Sequence, residues 1–272
     1  MAPPPVARCR DSATLPQTMW VPKHILCVLG NWQNADAVLR IVGEVTRGTF
    51  IVDEEYSQYS ADARMPQAFD ACRDRAHPTF SPHDVAAVAA HSAVIYIMSP
   101  HVLAQDALRV SATALRLVGA LLRAGALAVK SESAGIAHGM VGWARLAEAL
   151  DNPASHAGLV LRDAFVRRPL LDGDDDCYYT CGMHLLGYRD IEMPADLSPE
   201  EAIRWFDGAT AALIDQPEDS RLDKPLELDG TYRMFEDGGP CTRYEQDSFF
   251  YNPYGYWHLT EAEPLDGSDH EN

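Results

Sequence analysis

Short apolar runs of strand length alternate with longer stretches of helical period along this chain, and that alternation restricts its fold more than any other feature. His24-Ile-Leu-Cys-Val-Leu29, closed by Gly30-Asn31, reads as a buried strand. Ala35 to Val45 then places Ala35, Val38, Leu39, Ile41, Val42 and Val45 on one helical face, with Gly48 as the stop. Thr49-Phe-Ile-Val52 is the next strand, so the chain opens β-α-β. A second unit of the same kind follows: strand Ala93 to Met98, a long helix from Val102 to Leu122, Gly125, and a strand leading through Lys130. Between the two units, a helix is expected around Gln67 to Arg75. Ser81-Pro-His-Asp84 has the makings of a capped helix start, with Ser at the cap, Pro in the first turn and an acid three residues on.

Downstream, helices are expected over Met140–Ala149 and His156–Phe165. Strands are expected at Cys177–Cys181 and Arg189–Met193, and a helix from Ser198 to about Ile214. Short strands then follow over 226–228, 231–235 and 257–259. The expectation is an α+β fold: two β-α-β units with helices packed on a mixed or mostly antiparallel sheet, and a strand-rich C-terminal part. Residues 1–20 are Pro-rich and aperiodic and read as a disordered arm. Residues 21–260 form the α+β domain, divisible into halves at 168/169, and 261–272 read as a disordered acidic tail.

Charge divides the chain at that same point. Residues 1–168 hold 16 Lys and Arg against 15 Asp and Glu, whereas residues 169–272 hold 6 against 25. The net charge of −18 repels nucleic acid and anionic membranes and attracts a basic partner over long range. Basic clusters are limited to the Arg109/Arg116/Arg123 stripe and Arg167-Arg168, without interleaved aromatics, which argues against nucleic-acid binding. The stretch from Val102 to Val129 is the most apolar, but Gln105, Asp106 and three arginines interrupt it, so no membrane span is expected. The start Met1-Ala-Pro-Pro-Pro-Val has no signal-like apolar run, and the expected compartment is the cytoplasm.

Tyr179-Thr-Cys-Gly-Met-His-Leu-Leu-Gly-Tyr-Arg-Asp-Ile-Glu192, followed by the helix from Ser198 to Ile214, resembles an uncharacterised bacterial family, domain of unknown function 4261. The matching positions are Tyr179, Thr180, Gly182, Gly187, Asp190, Ile191 and Glu192. The stretches from Ala128 to His138 and from Asn252 to Trp257 are similar to longer relatives of that family. The resemblance implies a bacterial cytoplasmic protein with an α+β domain and supplies no catalytic residues.

Two readings of function follow. The first is a non-enzymatic acidic binding protein, of the immunity type, that occludes a basic toxin or effector. Asp174, Asp175, Asp176, Glu245 and Asp247 would steer the partner, and Tyr251, Tyr254 and Trp257 would anchor it, because the segment Arg243–His258 packs seven aromatics into 16 residues. The competing account of those rings is that they cap the sheet. The second reading is a small-molecule enzyme or sensor with its pocket around Lys130, Glu132, Ser133 and His138, where a strand gives way to a glycine turn. Cys177-x3-Cys-x2-His184 has the wrong spacing for a zinc knuckle, since strand residues four apart stand roughly 13 Å from each other. The run Asp172–Asp176 fails the calcium-loop frame, with Gly173 second and no closing Glu. No metal or cofactor is expected, and no phosphate-binding glycine loop, zinc-protease helix or nucleophile elbow occurs in the sequence.

Overall fold

A computed structural model describes residues 21–171, 176–215, 222 and 224–263. The expected arm, most of the expected tail, and Asp174 and Asp175 lie outside the described residues. The fold is α+β, with seven helices and two sheets among the described residues.

Strands β1 (Ile25–Gly30), β2 (Ile51–Gln58), β3 (Ala93–Met98), β4 (Ala128–Ser131) and β5 (Ile136–Ala137) form the first sheet in the order β2-β3-β1-β4-β5, antiparallel throughout. The two β-α-β units therefore interlock. The first, β1-α1-β2 with α1 at Asp36–Thr46, holds β3 between its strands; the second, β3-α4-β4 with α4 at Ala107–Arg123, holds β1. This is the split β-α-β, or ferredoxin-like, arrangement with one extra edge strand.

Strand alternation assigns the two faces. Leu26, Val28, Ile95, Ile97 and Val129 point to α1 and α4 and join one continuous hydrophobic cluster. Cys27, Leu29 and Val94 point the other way, under α2 (Met65–Ala71) and α3 (Pro82–Ala89), where Met65, Phe69 and Val88 cover them. These two helices cover the Leu29/Val94 end of that face, and the Ile25/Met98 end stays open.

Helix α3 starts as its sequence dictates: Ser81 accepts from the Asp84 amide, and the Asp84 carboxylate accepts from the Ser81 amide (2.8 Å). The other Asp84 oxygen accepts from the Met140 amide, also at 2.8 Å, so one side chain caps α3 and fixes the first residue of α5 (Met140–Asp151). Burial alone would raise the Asp84 pKa, but these hydrogen bonds hold it below the usual value.

The strand-rich C-terminal part forms a sheet of its own. Strands β6 (Arg167–Leu170), β7 (Cys177–Cys181), β8 (Asp190–Pro194), β9 (Leu226–Leu228), β10 (Thr231–Gly239) and β11 (Tyr256–Ala262) are ordered β6-β7-β8-β11-β10-β9. The β8/β11 pair is parallel and the others antiparallel. Helices α6 (Ala157–Phe165) and α7 (Pro199–Asp215) lie between this sheet and the first, and the main cluster runs without interruption from Leu26 through Phe165 and Phe206 to Ile191 and Leu259. The other face of the second sheet carries Leu170, Tyr179 and Cys181, with Tyr244 and Phe250 of the β10–β11 loop packed on them.

Candidate functional site

The turn from β7 to β8 is held by buried polar groups. Gly182 sits at φ +120°, where a Cβ would overlap the Phe165 carbonyl oxygen, and Gly187 closes the short 3-10 turn at φ +87°. Thr180 donates to Asp190 (2.8 Å) and accepts from the Ile191 amide (2.9 Å). The second Asp190 oxygen accepts from Asn252 (2.7 Å), whose amide also donates to the Tyr188 carbonyl. Thr180, Gly182, Gly187 and Asp190 thus build a framework and tie the aromatic loop to the sheet.

That loop is anchored at two further points. Arg243 donates to Glu192 (3.0 Å) and lies over the Tyr179 ring, and the Tyr179 and Tyr244 hydroxyls hydrogen-bond each other at 2.8 Å. Most of its rings therefore cap the sheet. Trp257 packs edge-on against Phe235 beneath the Arg189 guanidinium, and Tyr251 and Tyr254 are half-buried. Phe249 is the exposed ring of the segment, at 46%. The steering residues Glu245 and Asp247 are exposed on this loop. Asp176 is exposed too, but it precedes β7 at the end where Cys177 pairs with Pro194, whereas the loop is pinned at Asp190, the opposite end of β8.

The four residues of the alternative pocket do not share a cavity. Lys130 is buried, its ammonium 3.0 Å from Glu132 and over the Phe69 ring. Burial pulls its pKa down, but Glu132, together with Cys27 and Cys72, more than offsets this and leaves it raised. Ser133 faces the other way, donating to the Lys23 carbonyl (2.6 Å) and accepting from the Ile25 amide (3.0 Å), so it fastens β1 to the strand end. His138 is interior: Nε2 donates to the Ala164 carbonyl (3.2 Å), Nδ1 lies 3.5 Å from Asp74, and the ring stands edge-on to Trp143. Burial lowers its pKa. The physical reason for the split is the period of two along β4 and β5, which sends Lys130 and Glu132 to the face away from Ser133 and His138.

Glu132 does line a cavity. A groove of about 560 Å³ occupies the open end of the first sheet, bounded by Lys23, Ile25, Asp53, Tyr56, Tyr96, Met98, Glu132 and Phe249. Sequence reasoning missed most of these. β2 slips register between Asp53 and Gln58, a bulge in which Asp53 accepts from the amides of Glu55 and Tyr56, and Ser57 accepts from the Tyr96 amide. The bulge brings Tyr56, 68% exposed, to the groove. Lys23, whose ammonium lies 3.4 Å from the Met98 sulfur, is the cation on the lining.

His77, Asp163 and Asp207 bring one ligand atom each within 4.8 Å of the others. Two guanidinium groups already hold those carboxylates: Arg168 donates to Asp207 (2.6 Å) and Asp163 (2.8 Å), and Arg162 to Asp163 (2.8 Å). Two carboxylates balanced by two buried cations leave no charge for a divalent ion to neutralise. The cluster instead ties α6, α7 and β6 together. Nor do Cys177 and Cys181, at the two ends of β7, converge on His184 beyond Gly182.

Among the described residues no helix is long and apolar enough to cross a membrane. Compared with protein-family models, with curated proteins and with solved structures, the chain finds no match. Its split β-α-β topology is shared by proteins of many functions and assigns none.

Proposed function

We propose that this is a non-enzymatic binding protein of the bacterial cytoplasm that captures a basic protein partner in the manner of an immunity protein. The groove supplies the anchor point. The observation that carries the reading is the company the groove keeps: Asp53 and Glu132, the latter already paired with Lys130, beside the rings of Tyr56, Tyr96 and Phe249, with Lys23 as the one cation among the described lining residues. That lining suits a lysine or arginine side chain, which gains from both charge and ring faces. The net charge of −18 steers such a partner from a distance. The candidate base and nucleophile of the alternative reading, His138 and Ser133, are committed to structural hydrogen bonds.

The test starts with affinity capture from a bacterial lysate, followed by binding measurements between the captured protein and purified variants. The expected partner is basic, associates more slowly as salt rises, and loses affinity at least about tenfold to Phe249→Ala or Asp53→Asn. A complex indifferent to salt, or to both substitutions, sinks the proposal. One observation favours a second reading, a small-molecule sensor using the same groove: the volume of about 560 Å³ falls in the range of ligand pockets. It predicts a thermal shift with a small amine that is lost in Glu132→Gln.

A further inference from the structure

Beside the groove, on the other side of the Phe249–Phe250 pair, lies a cavity of about 240 Å³ bordered by Arg75, Ala134, Arg167, Leu170, Leu171, Tyr179, Cys181, Tyr244 and Phe250. Its chemistry is the reverse of the groove's. Among the described residues on the lining there is no carboxylate, and there are two arginines. Neither Arg75 nor Arg167 makes an ion pair among the described residues; Arg167 donates one Nη2 bond to the Ala71 carbonyl (2.8 Å), and its Nε–H is buried with no acceptor. The Arg75 guanidinium and the Arg167 Nη1 make no hydrogen bond among the described residues, which leaves their N–H donors for an acceptor in the cavity.

We infer that this cavity is a binding site for a small oxyanion, the phosphate or carboxylate group of a small molecule. The guanidinium groups of Arg75 and Arg167 bind the oxygens, and Leu170, Leu171 and Phe250 accommodate an apolar portion next to the charged group. Guanidinium is the side chain whose geometry best matches carboxylate and phosphate, and pairing in a cavity lined by aliphatic and aromatic carbon is stronger than in open water. The volume lies below that of a typical drug-sized pocket, which limits the occupant to a small anion or the anionic end of a larger molecule. The site also borders the turn at Gly135, where a Cβ would stand 3.3 Å from the Phe250 ring and 3.4 Å from the Arg167 Nη1. The backbone there approaches both walls closely, and the cavity is bounded by a fixed turn.

The experiment is titration of the full chain with inorganic phosphate, with acetate, and with chloride at matched ionic strength, read by calorimetry and by thermal denaturation. The expected result is a saturable rise in melting temperature with phosphate or acetate beyond that with chloride; whichever binds more tightly tells which oxyanion the site takes. Arg75→Gln, at an exposed position, leaves the fold intact and weakens that binding about tenfold, the loss of one charge-assisted bond. Glu132→Gln, in the neighbouring groove, leaves it unchanged, which keeps this site distinct from the proposed partner anchor. Equal shifts with all three salts, or undiminished binding in Arg75→Gln, overturn the inference.

Discussion

His24 shows how a single buried side chain makes stability depend on pH. It is wholly buried at the start of the first sheet, and its Nε2 lies 2.8 Å from the Ser111 hydroxyl. Ser111 gives its own proton to the Leu185 carbonyl (2.7 Å), so Nε2 carries the histidine proton and Nδ1 keeps a bare, buried lone pair. Burial first, and the nearby His184 second, push the His24 pKa from 6.5 down to about 3. The folded state therefore holds the ring neutral where the unfolded chain takes up a proton. The contribution is full above pH 6.5 and is lost as pH falls from there toward about 3, at about 1.4 kcal/mol per unit for one proton. His138, its pKa lowered mainly by burial, acts in the same direction. Urea unfolding at pH 7, 5 and 4 should show that His24→Gln loses less stability on acidification than the parent; an identical pH dependence would remove His24 from the account. The run His24–Leu29 reads as a buried strand, but the groups that enclose the His24 ring, Ser111, Leu185 and Phe165, are distant in sequence and were not legible in it.

At the scale of elements, the turns and caps were the most legible parts. The Ser81/Asp84 box and its counterpart at Ser198/Glu201 follow from spacing alone, since each depends on residues within one turn. Thermal unfolding should show Ser81→Ala costing about 1 kcal/mol. Asp84→Ala should cost more than that, because it also releases the Met140 amide. Equal losses would mean the link to α5 carries no stability. Gly182→Ala meets both a forbidden φ and the Phe165 carbonyl, and its expected cost is at least about 2 kcal/mol. A variant as stable as the parent would show that the β7–β8 turn relaxes freely. What spacing did not disclose is which strand lies beside which. The two β-α-β units are visible in the apolar pattern, but their interlocking depends on β1 and β3 pairing across 63 or more residues. The groove was hidden for the same reason: Ile25, Tyr96 and Met98 share a face by alternation, yet only the placement of α2 and α3 decides which of them stay uncovered.

Across the whole molecule, opposite charges are sorted on a small scale within a strongly acidic chain. The groove carries two carboxylates, rings and Lys23, and the cavity beyond Phe250 carries two guanidinium groups that make no ion pair among the described residues. The charge asymmetry of the sequence was correct as a bulk property, but it could not locate either site. The structure changes the expectation for Trp257, which packs against Phe235 under Arg189 and is part of the sheet. Its replacement by alanine should lower stability by roughly 3 kcal/mol or more, whereas Phe249→Ala should leave the melting temperature nearly unchanged while weakening partner binding. If chemical denaturation instead finds Phe249→Ala the more destabilising of the two, Phe249 belongs to the core and the anchor assignment fails.

The interlocked sheet also sets a timetable for synthesis. Strand β1 leaves the ribosome well before both of its neighbours, β3 at Ala93–Met98 and β4 at Ala128–Ser131. At typical elongation rates of about 5–20 residues per second, Ile25-Leu-Cys-Val-Leu29 waits roughly 5–20 s with at least one edge unpaired before its second partner emerges. During that interval it is a ready template for another nascent chain, and a natural client for a holding chaperone.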